Sequence, residues 1–362
     1  MKILQLIPNM TGGGAERQLV YLSGALVRRG WDVHVGLIRE GPNFEKLVAS
    51  GCKIHKIPAI GNHDVLILWH LIKLIRDVRP HLVQTWMRQM DVFGGIASKL
   101  TGIPYIISER SVAHAYSPLL KHKLRIVVGR SASAIATNSR GGCQYWHEQI
   151  GDNVPKHIVN NILPLEDIER AVPSCCDNLC PSPDSKISLF VGRLSSVKNI
   201  EMIIRAFKMV EAQQDVVLLI CGEGELQSKI KDLILEEHLT GRVILLGYVN
   251  NVWELMKRAD LFISLSNYEG LPNTVLEAIA CDCPLILSDI PSHRDFLNDE
   301  KALFVDQGRV SDIAAAILSC LEDPARARQR AQKARADISS FSSASVAEQY
   351  QNIYSRILSN NT

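Results

Sequence analysis

Short unbroken apolar runs alternate along this chain with longer stretches whose apolar residues recur every three or four positions, the spacings of buried strands and amphipathic helices. Residues 2–7 form one such run, and residues 15–29 then place Leu19, Leu22, Leu26 and Val27 on one helical face. Runs at 32–38, 53–57, 81–84, 105–107 and 134–137 continue the pattern, with helical stretches between them. Between residues 159 and 186 the periodicity fades, and Pro164, Pro173, Pro181 and Pro183 with Ser174, Ser182 and Ser185 mark a linker. Runs at 187–191, 216–220, 243–246, 261–265, 284–287 and 302–305 then restart the alternation, and helical spacing dominates from Val310 onward. This β/α order predicts two α/β halves, each wound around a parallel sheet.

Several strand ends carry chemistry. The run 261–265 is broken by Gly270 and Pro272, and helical spacing begins at Asn273, so Leu271, Pro272, Asn273 and Thr274 line a loop that opens a helix. A loop of this kind lies at the carboxyl edge of an open sheet, where the helix start offers free N–H groups to anionic oxygens. Glu269 and Glu277 frame it, and a carboxylate can accept two hydrogen bonds from a sugar diol. After run 187–191, Gly192 and Arg193 precede Lys198 and the next helix, a suitable place for a diphosphate: Arg grips oxygens with its fork and Lys supplies a point charge. Gly12, Gly13 and Gly14 form a glycine-rich loop after the first run, readable either as a nest for phosphate or a sugar, or as a tight turn. Its spacing is not that of an ordinary NAD site. Tyr248 and Val249, after run 243–246, sit where backbone groups would read a base edge.

With 362 residues, the chain suits two domains, and 46% hydrophobic against 22% charged residues is a globular composition. A net charge of +2 gives no general case for nucleic acid. Nine cysteines, odd in number and without paired C-x2-C knuckles, support neither a disulfide framework nor a zinc site, and reduced thiols are expected. No D-x-D stands near the strand-end motifs, so no metal or cofactor is expected. The amino-terminal apolar run is too short for a signal peptide, and residues 65–75, interrupted by His70 and Lys73, fall short of a membrane span. Residues 118–130 interleave Lys121, Lys123, Arg125 and Arg130 with apolar residues, which fits either a helix lying on an anionic membrane surface or a core helix with solvated cations. A cytoplasmic protein, peripheral on the inner face of the cell membrane in the first reading, is expected.

The run Glu269-Gly-Leu-Pro-Asn-Thr-Val-Leu-Glu277 resembles the E-x7-E motif of the retaining family 4 glycosyltransferases, and the resemblance, strongest from 190 to 291, extends over nearly the whole chain. It implies an α/β GT-B fold of two Rossmann-like domains facing across a central cleft. The acceptor-side domain would comprise 1–163 with 344–362, because the last helix crosses back in such proteins; 164–185 would be the linker and 186–343 the nucleotide-sugar domain. It further implies that Arg193 and Lys198 neutralise the leaving diphosphate, that Gly222 in the loop after run 216–220 lies near the nucleotide, that Glu269 orients the sugar, that Glu277 holds the ribose, and that the glycine loop 12–14 underlies donor and acceptor. Many relatives carry His or Asp after the strand corresponding to 105–107; here Glu109 or Arg110 takes that place, with His114 as a runner-up. The implied reaction moves a hexose or N-acetylhexosamine from a nucleoside diphosphate sugar, UDP in the commoner case, to a glycan or polyprenyl-linked acceptor in bacterial surface polysaccharide synthesis. A sugar-nucleotide epimerase of the same fold and a non-catalytic nucleotide-sugar-binding subunit are the rival readings.

Overall fold

A computed structural model describes residues 1–359 apart from Gly12, 62–63, 111–119, Cys175, 177–178 and Pro183, and without the side chains of Leu120 and Lys121. The chain divides into two compact units, Met1–Ile162 with Ser340–Thr362, and Leu163–Ser339.

In the first unit β1 (Lys2–Asn9), β2 (Asp32–Arg39), β3 (Lys53–Lys56), β4 (Leu82–Trp86), β5 (Tyr105–Glu109), β6 (Ala134–Thr137) and β7 (Lys156–Ile158) form one parallel sheet in the order β3-β2-β1-β4-β5-β6-β7. Helices on both faces explain why β1 is apolar without alternation: Ile3 and Ile7 enter one core cluster while Leu4 and Leu6 enter the other. Gln5 is also buried, and its amide is satisfied, donating to Ser23 Oγ (3.3 Å) and accepting from Trp86 Nε1 (2.9 Å). The helix Ser343–Ser359 returns to this unit, where Tyr350 and Tyr354 enter the core and the Tyr354 hydroxyl donates to Gln84. Arg29 Nη1 fastens its outer face to Gln351 Oε1 at 2.7 Å.

In the second unit β8 (Lys186–Val191), β9 (Val216–Cys221), β10 (Val243–Gly247), β11 (Leu261–Ser264), β12 (Leu285–Ser288) and β13 (Leu303–Val305) make a parallel sheet ordered β10-β9-β8-β11-β12-β13. Its core packs Phe190, Ile220 and Ile263 with Ile203, Ile204 and Phe207 of the helix Ile200–Glu211. In both sheets the strand order reverses once, between β1 and β4 and between β8 and β11, and loops leaving the carboxyl ends there are splayed apart.

Two elements depart from the expected pattern. β7 was not anticipated, since a three-residue edge strand that begins Lys156-His157 carries no apolar run. The helix Leu165–Arg170 occupies the start of the expected linker and lies in the second unit, with Glu166 and Asp167 in its first turn, where acidic side chains favour a helix, and Ile168 buried. Cys52, Cys143, Cys176, Cys180, Cys221, Cys281, Cys283 and Cys320 are free, and burial pushes the Cys221 and Cys281 thiols up to about 12. Among the described residues no helix is long and apolar enough to cross a membrane.

Candidate active site

The reversal between β8 and β11 brings together residues that the sequence holds far apart. The backbone leaves β8 through Gly192 and Arg193, makes a 3-10 turn at Ser196–Lys198, and enters the next helix through Asn199, whose φ of 53° is left-handed. Asn267, in the loop after β11, donates its N–H to the Val197 carbonyl (2.8 Å) and so ties the two loops together. Across that tie Lys198 Nζ donates to Glu269 Oε1, an oxygen that also accepts from Ser266 Oγ at 2.7 Å. Both members of the ion pair are largely shielded, at 20% and 16% side-chain exposure. Arg193 by contrast is exposed, and no carboxylate pairs with it among the described residues. One shielded cation paired with a carboxylate forms the centre of this site, and an exposed cation, Arg193, stands earlier on the same loop after β8.

The neighbouring loops complete its floor. Gly222 has φ 131°, and a Cβ there would lie 1.9 Å from the Gly192 carbonyl oxygen, so the close approach of the β9 and β8 loops requires glycine. Gly192 itself is beside Lys198: a Cβ added to it would lie 3.6 Å from Lys198 Cε. Past β10, Tyr248 is 60% exposed and Val249 half-buried. Gly270, Leu271, Asn273 and Thr274 are half-buried around the start of the helix Asn273–Ala280, whose N-cap is Pro272. Glu277, in the second turn, is 1% exposed, deeper than expected for a group at the loop surface.

A fifth loop joins the site that the sequence reading missed. Ser288, the last residue of β12, donates its hydroxyl to the Ser266 carbonyl at 2.7 Å, and its own carbonyl lies 2.9 Å from His293 Nδ1. His293 is fully buried, and burial lowers its pKa, with the charges of Glu269 and Lys198 acting on the ring in opposite senses. Nothing in the local sequence singles out this histidine; only the position of β12 beside β11 does.

In the first unit the glycine loop after β1 is partly described: Gly12 lies outside the described residues, Gly14 opens the helix Gly14–Arg28, and a Cβ on Gly13 would meet Glu16 Oε2 at 2.5 Å. Glu109 requires a correction as an acceptor-side catalytic group. It ends β5 at 1% exposure, where its Oε2 accepts from Arg125 Nη1 (2.7 Å) and Trp146 Nε1 (3.1 Å). Arg125 also donates from Nε to Asp91 Oδ2 (2.7 Å), and Asp91 Oδ1 accepts from Thr85 Oγ1 (2.6 Å). A carboxylate enclosed in such a cluster neither meets an acceptor nor exchanges protons with it; its role is to neutralise Arg125. Burial raises the Asp91 pKa, against the opposing pull of Arg125. Arg110, next in sequence, bonds Asn161 Oδ1 (2.9 Å) and the Tyr350 hydroxyl and lies 4.9 Å over the Trp86 ring. His114 lies outside the described residues.

The basic stretch is likewise resolved into two faces. On the helix Leu120–Gly129, Arg125 is buried against Asp91 and Glu109, whereas Lys123, Leu124 and Val127 are exposed, the last two at 43% and 60%.

Comparison with known proteins fits this geometry. Residues 12–167 match the family described as Glycosyltransferase Family 4, and residues 180–337 match Glycosyl transferases group 1. The chain is 26% identical to the N-acetylgalactosamine-N,N'-diacetylbacillosaminyl-diphospho-undecaprenol 4-alpha-N-acetylgalactosaminyltransferase of Campylobacter jejuni, over 94% of this chain and 96% of that one. It is 25% identical to the lipopolysaccharide core biosynthesis glycosyltransferase LpsD of Rhizobium meliloti, over 96% of each. Among solved structures, Anabaena HepE in complex with UDP and glucose superposes with a TM-score of 0.86 at 19% identity, covering 98% of this chain and 100% of that one. Two matched halves that follow one another along the chain, each on its own parallel sheet, leave one assignment: the chain belongs to the group 1, family 4 glycosyltransferases of the GT-B fold.

Proposed function

We propose that the chain is a retaining glycosyltransferase that moves a hexose or N-acetylhexosamine from a UDP-sugar to a hydroxyl of a glycan or polyprenyl-linked acceptor in bacterial surface polysaccharide synthesis. The observation that carries this reading is the Lys198–Glu269 pair at the β8/β11 reversal, with the exposed Arg193 on the same β8 loop. Cleaving a nucleoside diphosphate sugar leaves negative charge on the diphosphate and positive character on the sugar ring, so a cation and a carboxylate set side by side match both charges as they develop. Arg193 and Lys198 bind the diphosphate, Glu269 turns to the sugar hydroxyls, and the backbone at Gly270 and Leu271 supports the ring. Glu277 accepts from the ribose hydroxyls. Gly192, Gly222, Tyr248, Val249, Pro272, Asn273 and Thr274 line the nucleotide's place, and Gly13 and Gly14 lie under the acceptor side. Retention follows from attack on the face the diphosphate leaves, with the departing phosphate taking the acceptor proton, so no separate base is needed and none is assigned to Glu109.

The relatives support the substrate class, since the Campylobacter protein is named for transfer to a diphospho-undecaprenol acceptor and an Escherichia coli relative for UDP-Gal and a diphosphoundecaprenol acceptor. An acceptor of that kind is presented at an anionic membrane, which the exposed face around Lys123, Leu124 and Val127 suits. The test is to incubate the chain with radiolabelled UDP-sugars and a polyprenyl diphosphate-linked glycan, then read the product's anomeric configuration by NMR. Transfer with the donor's configuration is expected. Inversion would overturn retention, conversion of donor to its epimer would favour the epimerase reading, and UDP-sugar binding without turnover would favour a binding subunit.

A further inference from the structure

The ring of His293 is held in one tautomer with one nitrogen to spare. Both groups near Nδ1 are acceptors: the Ser288 carbonyl at 2.9 Å, and the Ser288 hydroxyl at 3.4 Å, whose proton is already given to the Ser266 carbonyl at 2.7 Å. Nδ1 therefore carries the proton, and in the neutral ring Nε2 presents a lone pair. That atom is buried and has no hydrogen-bond partner, which is costly for a polar group, while Lys198 and Glu269 are near enough for their charges to act on the ring. The same serines connect ring and ion pair, since Ser288 bonds the Ser266 carbonyl and the Ser266 hydroxyl bonds Glu269.

We propose that His293 is a positioning residue for Lys198: its buried Nε2 lone pair accepts from the ammonium whenever Glu269 releases it. The inference rests on the donor-site reading above, in which the ion pair opens so that Glu269 meets the sugar and Lys198 the diphosphate. An ammonium has three donors and needs more acceptors than phosphate alone to fix its direction. A neutral ring supplies one without adding a competing charge. Protonation would remove that lone pair and place a second cation against Lys198. The charged groups that act on the ring are Glu269 from the β11 loop, Lys198 from the β8 loop and Asp289 from its own segment, and beside these the histidine alone ordinarily titrates between pH 5 and 8.

The deciding experiment needs no substrate. In the full-length 15N-labelled protein, the Nε2 resonance of His293, assigned by its loss in His293→Gln, should have the shift of a bare ring nitrogen. In Glu269→Ala it should move upfield, as a ring lone pair does on accepting a hydrogen bond, and in Glu269→Ala with Lys198→Met it should return. An unmoved resonance in Glu269→Ala overturns the proposal. In turnover, His293→Phe should lower kcat/KM roughly ten- to a hundredfold. His293→Gln, which keeps an acceptor near that position and cannot take a proton, should restore most of the loss and remove the acid limb that histidine gives the wild type. Equal losses in both variants would mark a purely structural role. If the wild type transfers no sugar from any donor, the functional reading fails while the resonance experiment still decides the role of His293.

Discussion

The individual side chains of the second sheet's edge are chemically similar yet stand in different surroundings, and their substitutions should fail differently. Arg193 is open and Lys198 is held by Glu269, and on the proposed reading truncating either removes transition-state charge stabilisation. Arg193→Ala and Lys198→Ala should each raise the barrier by about 2–4 kcal/mol, read from kcat/KM, and near wild-type turnover in either would remove that residue from the diphosphate site. On the proposed reading Glu269 and Glu277 divide the donor between them. Glu269→Gln should mainly depress kcat, because its bonds change as the sugar is cleaved. Glu277→Gln should mainly raise the donor KM, because a ribose contact persists from bound donor to transition state. Calorimetry with free UDP checks the division: binding lost in Glu269→Gln but kept in Glu277→Gln would reverse the two roles.

At the scale of an element, the helix Leu120–Gly129 presents two different faces. Inward, Arg125 bridges Asp91 and Glu109, each about 1% exposed or less, and stacks 4.9 Å over Trp146. Removing one partner of a buried pair leaves the others uncompensated, so Arg125→Gln should cost about 3–5 kcal/mol of stability in a urea unfolding experiment. Outward, Lys123 is exposed between apolar neighbours, and Lys123→Gln should weaken binding to anionic liposomes by about 1 kcal/mol at low salt, with no change in the unfolding midpoint. Cosedimentation identical to wild type would leave that face a solvated surface. A single stretch of alternating Lys, Arg and Leu reads the same for both faces; the helix period separates them only once its neighbours are known.

For the molecule as a whole, histidine burial sets the response to acid. His34, His55, His122, His157 and His293 all have pKa values below the ordinary 6.5, with burial the largest cause in each. His34 Nδ1 and His55 Nε2 also share one proton across 2.8 Å, so both rings cannot be cationic at once. The unfolded chain then binds protons first as pH falls below 6.5, and folding stability is lost from there downward toward the depressed native values. Urea midpoints should therefore be flat above pH 7 and decline below it, less steeply in His34→Asn with His55→Gln; a midpoint constant between pH 7 and 5 would refute the account. Ligand binding provides the opposite handle: a UDP-sugar at 100 times its Kd should add about 2.7 kcal/mol, so a thermal-shift panel of nucleotide sugars identifies the donor.

What the sequence determined by itself is whatever a single strand, loop and helix encode. The E-x7-E run, the Gly-Arg-Leu turn with Lys198, and the β/α order are local, and twelve apolar runs suffice to predict two wound sheets because parallel strands buried on both faces are apolar without interruption. Tertiary structure alone decided which loops meet. Lys198 and Glu269 are 71 residues apart, and only the reversal of strand order between β8 and β11 pairs them. The same holds for Glu109, which reads as a strand-end carboxylate but is neutralised by Arg125 from 16 residues on, and for His293, which one strand's placement beside another carries into the site. Charge type and spacing are properties of the chain; burial and partnership arise only when distant segments pack, and they decide whether a carboxylate or an imidazole meets substrate, neutralises a neighbour or holds it in place.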